Sequence, residues 1–237
     1  MSLKWMIATL LCLATMINYA DRLALGIVSV EVRREFGLNE VDYGQITALF
    51  LLAYAIMYAG SGFVVDRLGT KKGFGVFIFF WSAAQMVHAF TVGKWSLAGA
   101  RFALGLAEPG NWPAAAKAVK EWFPPEQRAL GVGIFNSGSS LGSALANPVV
   151  SYLARAFGWR AAFLFTGAAG LVWLICWWLV YRTGPYQGAV EEKVERTPWR
   201  EIIRKRACWT LILARFFTDP VIYFMIFWLP EYLRRER

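Results

Sequence analysis

The sequence predicts an all-α integral membrane protein in which a six-helix bundle is followed by a polar linker and a seventh helix. Hydrophobic residues make up 57% of the 237 residues, and charged residues make up only 17%. Windows of about 20 mostly apolar residues, the length that a helix needs to cross a bilayer, recur along the chain. The basic residues lie in short clusters between these windows, as expected of loops that orient membrane helices.

The first three spans are expected near residues 5–30, 43–65 and 74–92. The opening residues resemble the start of a signal peptide, but the apolar stretch continues well past signal-peptide length without a cleavage-site pattern. We therefore interpret the first window as a span. The loop after the second span carries Arg67, Lys71 and Lys72, whereas the loop after the third carries Lys94 alone.

The next three spans are expected near residues 95–119, 129–153 and 159–181, with short connections that contain Gly, Pro or charge. Residues 182–206 are long, polar and rich in charge, which predicts a cytoplasmic linker. The last segment, residues 207–237, contains a seventh apolar window at 207–229. The distribution of Lys and Arg predicts a multi-pass protein of the cell inner (plasma) membrane whose amino terminus is cytoplasmic.

Several functional classes are disfavoured by the composition. The net charge of +9 does not predict a nucleic-acid partner, because the basic residues are not arranged along one face. Cys12, Cys176 and Cys208 have neither disulfide nor metal-ligand spacing, so no metal or cofactor is expected. His88 is expected at the membrane interface, with a pH-sensing role as the alternative. A membrane enzyme would need a nucleophile, metal cluster or acid–base pair that the chain does not supply.

Charged residues inside the predicted spans need a separate explanation. Each unpaired charge within a bilayer costs roughly 2.5–3.5 kcal/mol, so four of them would cost on the order of 10 kcal/mol. Secondary carriers are often built from three-helix repeats whose leading helices meet at the binding site. The charges lie in the first, fourth and seventh windows, which lead such triplets: Asp21, Arg22, Arg101, Glu108 and Asp219.

The depths of these charges allow pairing between the first and fourth helices. Structural salt bridges, Asp21 with Arg101 or Arg22 with Glu108, are one interpretation. The preferred interpretation is a site for an organic anion, because a guanidinium matches a carboxylate in a bidentate manner. Arg22 and Arg101 are then the anion-binding pair, and Asp21 and Glu108 exchange protons as the anion arrives or leaves.

Residues 62–72, GFVVDRLGTKK, resemble the G-x-x-x-D-[RK]-x-G-x-[RK]-[RK] loop of the major facilitator superfamily. In that family the loop joins helices two and three on the cytoplasmic side. Its glycines permit tight turns, and its charges latch neighbouring helix ends in one conformation of the carrier. The resemblance implies that this conformational latch consists of Gly62, Asp66, Arg67, Gly69, Lys71 and Lys72.

Other segments are similar to the anion:cation symporter branch of this family, and within it to hexuronate and sugar-acid transporters. These segments are residues 18–22, 99–108, 121–128, 135–140, 217–220 and 227–230. The resemblance supports the proton-coupling and anion-binding roles of the charges in helices one and four. It also implies that Tyr19 and Tyr54 face the sugar acid. Asn111 and Asn136 are substrate contacts or, alternatively, amides that hold helices together.

Family members have twelve helices in two halves, so the resemblance implies a six-helix amino-terminal bundle of 3+3 inverted repeats plus a seventh helix, with the rest of the carboxy-terminal half missing. The leading hypothesis is proton-coupled symport of a sugar-acid anion across the lipid bilayer by a truncated carrier. The alternative is a non-transporting half-carrier that binds the anion or associates with a second half-carrier chain. The basic residues of the tail, at 234–237, would lie outside after seven spans, which also favours an incomplete chain.

Overall fold

The computed structural model describes residues 3–187 and 199–227, which are helices and their connections without a strand. The prediction of an all-α protein is therefore confirmed. The chain divides into two compact units, residues 1–190 and residues 191–237, and each is described by itself. The predicted motif at residues 227–230 and the basic tail lie largely outside the described residues.

The helices of the first unit follow one another with short connections. They are α1 (Leu3–Ile27), α2 (Ser29–Phe36), α3 (Glu40–Leu68), α4 (Thr70–Val87), α5 (Lys94–Ala107), α6 (Asn111–Trp122), α7 (Arg128–Phe157) and α8 (Trp159–Val180). Short 3-10 turns at His88–Phe90, Glu108–Gly110 and Pro125–Gln127 extend or join them. The second unit contains α9 (Trp199–Arg204) and α10 (Arg206–Phe227).

Among the described residues, four helical stretches are long and apolar enough to cross a membrane: Leu3–Ile27, Glu40–Leu68, Thr70–Phe90 and Trp159–Val180. The window expected at residues 95–119 is not one helix, because the turn Glu108–Gly110 separates α5 from α6. Pro109 has no amide hydrogen, so it cannot continue the helical hydrogen bonding. Gly110 lies against the ring of Phe77, which a Cβ at this position would meet.

Polar contacts define two ends of the first unit. At the first end, Lys4 Nζ donates to Gln127 Oε1 at 2.6 Å, and Lys117 pairs with Asp66 at 2.8 Å. This end therefore holds the start of α1, the end of α3 and the start of α7. At the second end, Arg160 at the start of α8 pairs with Glu35 of α2 at 2.7 Å.

Close packing between α1 and α7 depends on two glycines. A Cβ at Gly138 would meet the carbonyl oxygen of Cys12, and a Cβ at Gly142 would meet that of Met16. The two backbones can approach this closely because neither glycine has a side chain.

Two apolar clusters of buried residues lie along α1. The cluster nearer the first end includes Ile7, Leu11 and Ala14, and the other includes Ala24 and Leu25. Between them α1 buries polar side chains, and the turn between α5 and α6 brings further polar groups to the same level. We call this set the central polar layer: Thr15, Asn18, Asp21, Arg22, Arg101, Glu108 and Asn111.

The second unit presents mostly apolar side chains along α10. Within this helix Arg215 and Asp219, which are one turn apart, form an ion pair at 3.2 Å. Asp219, the expected charge of the seventh helix, therefore has a partner on its own helix.

Candidate functional site

A buried ion pair lies at the centre of the polar layer. Arg22 Nε donates to Glu108 Oε2 at 2.9 Å, and Arg22 Nη2 lies 2.9 Å from the same oxygen. The side chains of Arg22 and Glu108 are 7% and 0% exposed. The pair joins α1 to the turn between α5 and α6, so it fixes the break at Pro109 against the first helix.

Arg22 is also enclosed by neutral groups. Its guanidinium carbon lies 4.9 Å from the ring centre of Tyr19 and 4.6 Å from that of Tyr54. Its Nη2 donates to Asn18 Oδ1 at 3.4 Å, and Asn18 Nδ2 donates to the carbonyl oxygen of Glu108 at 3.5 Å. Aromatic faces stabilise a guanidinium that has left water, so this arrangement holds a positive charge in the interior.

Arg101 has a different environment from Arg22. It is 4% exposed, and its guanidinium carbon lies 5.6 Å from the ring centre of Phe50. Within residues 3–187 and 199–227, no carboxylate oxygen lies at ion-pair distance from it. In the part of the chain that the structure describes, Arg101 is therefore a buried cation without a direct counterion.

Asp21 is the carboxylate of the central polar layer that lies outside the ion pair. It is fully buried, and neither of its carboxylate oxygens accepts a well-formed hydrogen bond from a described residue. The Thr166 side chain of α8 also acts on the carboxylate. Gln85 Nε2 lies against its backbone carbonyl oxygen at 3.4 Å. Arg101 and Glu108 are the charged groups that act on it. The layer thus contains one closed ion pair, Arg22 with Glu108, and two separate opposite charges, Arg101 and Asp21.

The two expected amides occupy different places. Asn111, the first residue of α6, donates from Nδ2 to Thr15 Oγ1 at 3.1 Å, and its Oδ1 is buried without a partner among the described residues. Asn136 lies on α7, is half-buried, and also has an unpartnered buried Oδ1 within the described chain. Asn111 belongs to the central polar layer, whereas Asn136 lies on α7.

The residues of the expected latch lie at the first end. Lys117 Nζ of α6 donates to Asp66 Oδ1 of α3 at 2.8 Å. Gly69 has φ of +76° and forms the turn between α3 and α4, a conformation that favours glycine. Lys71 lies over the ring of Trp178, and its carbonyl oxygen accepts from Trp177 Nε1 at 3.1 Å. The remaining positions are the half-buried Gly62 and the exposed Arg67 and Lys72.

Some polar residues of the interior were not predicted from the sequence. Asn18 could have been found, because it lies four residues before Arg22 and therefore on the same helix face. Glu121 is 2% exposed at the first end, where it accepts from the Thr70 hydroxyl at 2.5 Å and from the Tyr181 hydroxyl. His88 was expected at the membrane interface, but it is fully buried and stacks on Phe163.

The central polar layer contains the guanidinium groups of Arg22 and Arg101. In the part of the chain that the structure describes, no group of three His, Cys, Asp or Glu side chains is arranged to hold a metal ion. A carboxylate that entered the polar layer would meet the unpaired charge of Arg101 and the guanidinium of Arg22. Guanidinium groups bind carboxylates strongly where water is excluded.

Comparison with known proteins gives consistent results. The sequence profile of the Major Facilitator Superfamily matches residues 11–237. The chain is 33% identical to a galacturonate transporter of Dickeya chrysanthemi, covering 98% of this chain and 72% of that protein. It is 30% identical to a hexuronate transporter of Escherichia coli K12, covering 98% of this chain and 57% of the relative.

A solved structure shares the fold. It is a bacterial homologue of the human lysosomal transporter Spinster, in an inward-facing and unoccupied conformation. The TM-score is 0.83 at 22% identity, and the match covers 99% of this chain and 56% of that one. The chain thus spans little more than half the length of the Escherichia coli relative and of the solved structure.

Proposed function

The chain belongs to the Major Facilitator Superfamily, and from this premise we propose that it provides the anion-binding part of a proton-coupled transporter for sugar acids of the hexuronate class. The names of its relatives support the substrate class. The observation that carries the proposal is Arg101, a buried cation without a carboxylate at ion-pair distance in the described chain. Keeping such a charge in the interior is costly unless an anion binds there.

Coupling between proton and anion follows from the ion pair. While Glu108 is ionised, its carboxylate forms an ion pair with the guanidinium of Arg22. A proton on Glu108 would weaken this pair and free Arg22 for the carboxylate of a substrate. Arg22 and Arg101 would then bind the anion together, with Tyr19 and Tyr54 contacting the sugar ring. Proton and anion would enter the site in one event, and Asp21 would serve as the second proton carrier.

The proposed orientation puts the first end in the cytoplasm and the second end outside the cell inner membrane. The first end carries Arg67, Lys71, Lys72, Lys117 and Lys120, and the positive-inside rule places such clusters on the cytoplasmic side. The same orientation puts the amino terminus inside.

The binding step is tested by thermal unfolding of the purified chain with galacturonate, and with neutral galactose as the chemical control. We expect galacturonate to raise the unfolding temperature and galactose to have no effect. Arg101→Gln should abolish this response, whereas Arg67→Gln, which removes an exposed arginine at the first end, should retain it. Equal stabilisation by both sugars, or a full response in Arg101→Gln, would refute an anion site at Arg101.

Transport is tested separately in proteoliposomes. We expect labelled galacturonate to accumulate when the outside is acidified, and Glu108→Gln to abolish the dependence on the proton gradient. Binding without accumulation would favour the alternative of a half-carrier that requires a second chain.

A further inference from the structure

A row of buried polar side chains lies between α4 and α8. Ser82, Gln85 and His88 follow one another at intervals of three residues, so they lie on one face of α4 and of the turn that extends it. All three are fully buried. Gln85 Nε2 donates to Thr166 Oγ1 of α8 at 2.9 Å. We call this row, together with Trp81, the α4–α8 seam.

The seam contains polar atoms without partners among the described residues. They are Trp81 Nε1, Ser82 Oγ, Gln85 Oε1 and His88 Nε2. Buried polar groups in proteins are nearly always hydrogen-bonded to protein or to ordered water. Several atoms on a single helix face therefore need partners that the described residues do not supply.

The chemistry of these atoms identifies the ligand. His88 Nδ1 lies 2.8 Å from the carbonyl oxygen of Ala84, so Nδ1 carries the proton and Nε2 is an acceptor in the neutral ring. Gln85 Oε1 and both carboxylate oxygens of Asp21 are also acceptors without partners in the described chain. These acceptors need donors, and the Trp81 Nε1 donor needs an acceptor. A water molecule meets both needs, because it supplies two donors and accepts in turn.

Asp21 connects the seam to the central polar layer. Gln85 contacts its backbone carbonyl oxygen at 3.4 Å. Arg22 follows Asp21 directly, and successive residues on a helix point in different directions, so the two side chains face different neighbours. The charged groups that act on Asp21 are Arg101 and Glu108, and Arg101 also acts on His88.

The other end of the seam lies close to solvent. The carbonyl oxygen of His88 accepts from the Thr91 hydroxyl at 2.8 Å, and the carbonyl oxygen of Thr91 accepts from Arg160 Nη2 at 3.3 Å. The side chain of Arg160 is 41% exposed at the second end. His88 is thus two hydrogen bonds from an exposed side chain.

We propose that the α4–α8 seam holds a file of water molecules that carries protons between the second end and Asp21. Protons pass along the waters past His88 and Gln85, and the Asp21 carboxylate is the group that receives or releases them. Gln85 is a positioning residue, because it holds the backbone of Asp21 and the hydroxyl of Thr166 in place. The inference rests on the proposed proton coupling, and it adds a route by which the proton reaches Asp21.

Hydration of the seam is tested by X-ray radiolytic labelling of the purified chain in lipid nanodiscs, with mass spectrometry. Hydroxyl radicals formed from bound water modify neighbouring side chains, even buried ones. Trp81 in the seam is 1% exposed, and the control Trp177 is 0% exposed and donates to the carbonyl oxygen of Lys71.

We expect Trp81 and His88 to be labelled at least about threefold faster than Trp177, because they adjoin bound water and Trp177 does not. Equal labelling rates for Trp81 and Trp177 would overturn the proposal. A labelling rate that changes when sodium replaces choline in the buffer would also overturn it, because a cation would then occupy the seam.

The proton route is tested by infrared spectroscopy of the same sample. The band of the protonated Asp21 carboxyl is identified by subtraction of the Asp21→Asn spectrum over a series of pH values, and its shift is followed after transfer to D2O. We expect His88→Phe and Gln85→Met each to slow this exchange at least about tenfold, because they remove polar atoms that hold the water file. Trp177→Phe, an aromatic replacement outside the seam, should leave the rate unchanged.

Unchanged exchange in both seam variants, or no Asp21 band at any pH, would overturn the proposal. This readout requires neither anion binding nor uptake. Slowed exchange in a protein that does not bind or transport sugar acids would therefore refute the proposed function and retain the seam, and the opposite pattern would refute the seam alone.

Discussion

Arg22 and Glu108 neutralise each other in a place where either charge alone would be very costly. Removing one partner of a buried ion pair leaves an uncompensated charge, which typically costs more than the pair itself contributes. Asp21 differs, because neither of its carboxylate oxygens has a hydrogen-bond partner among the described residues. The two carboxylates should therefore respond in opposite ways to neutral replacement.

We expect Glu108→Gln to lower the free energy of unfolding by about 3–5 kcal/mol, since it leaves the guanidinium of Arg22 without its counterion. Thermal or denaturant unfolding in detergent micelles measures the effect. The matched variant Asp21→Asn should not destabilise the protein, because it removes a buried charge that forms no ion pair with a described residue. A loss of stability in Asp21→Asn as large as that in Glu108→Gln would contradict this account.

The sequence identified the charged residues of the polar layer but not their pairing. The cost of placing Asp21, Arg22, Arg101 and Glu108 in a bilayer is visible from the residues alone. Both Asp21 with Arg101 and Arg22 with Glu108 were compatible with their depths, and the structure contains the second pair. The choice depends on how each helix is rotated about its axis, which packing with other helices determines.

The elements of the fold follow hydropathy closely except where backbone chemistry intervenes. Apolar windows locate the long helices, but Pro109 divides the fourth window into α5 and α6. The resulting turn directs Glu108 towards α1. Hydropathy also does not predict the burial of His88, because its position near the end of α4 does not reveal that Phe163 of α8 packs against it.

Contact between α1 and α7 gives a prediction at the scale of elements. Gly138→Ala should destabilise the protein by about 1–3 kcal/mol, because the new methyl group meets the carbonyl oxygen of Cys12 and forces the helices apart. Gly133→Ala on the same helix is the control, since no atom lies within 4 Å of a Cβ built there. It should be neutral or stabilising, as alanine favours a helix. Unfolding temperatures of the two variants that fell by the same amount would exclude this explanation.

The attachment of α2 to α8 predicts a dependence on pH. Glu35 accepts from Trp159 Nε1 at 2.7 Å and pairs with Arg160, and these contacts lower the pKa of Glu35 from 4.5. A lowered pKa means that the contribution to stability is complete above pH 4.5 and is lost as the pH falls through the lower value of the folded state. The difference in unfolding temperature between the wild type and Glu35→Gln should therefore vanish in acid. A difference that stays constant over the whole range would show that the ionised carboxylate is not involved.

At the scale of the whole molecule, the latch should influence motion more than stability. The ion pair between Asp66 and Lys117 is partly exposed, with 58% of the Asp66 side chain accessible. Such pairs contribute less than about 1 kcal/mol, so Asp66→Asn should leave the unfolding temperature and the affinity for galacturonate nearly unchanged. We expect the rate of uptake in proteoliposomes to change instead. Glu126→Gln, an exposed carboxylate at the same end, is the control, and equal uptake rates in both variants would argue against a latch at Asp66.

The ion pair between α1 and the turn after α5 also has a consequence for biosynthesis. Arg22 and Glu108 are separated by 86 residues in the chain. At about 5–20 residues per second, a ribosome needs about 4–17 s to make this stretch. During that interval Arg22 carries its charge without Glu108 as a partner, and such a charge in a membrane helix weakens insertion. Integration of the first helix should therefore be completed only when the fourth predicted span arrives, so the first four spans enter the bilayer as a cooperative group.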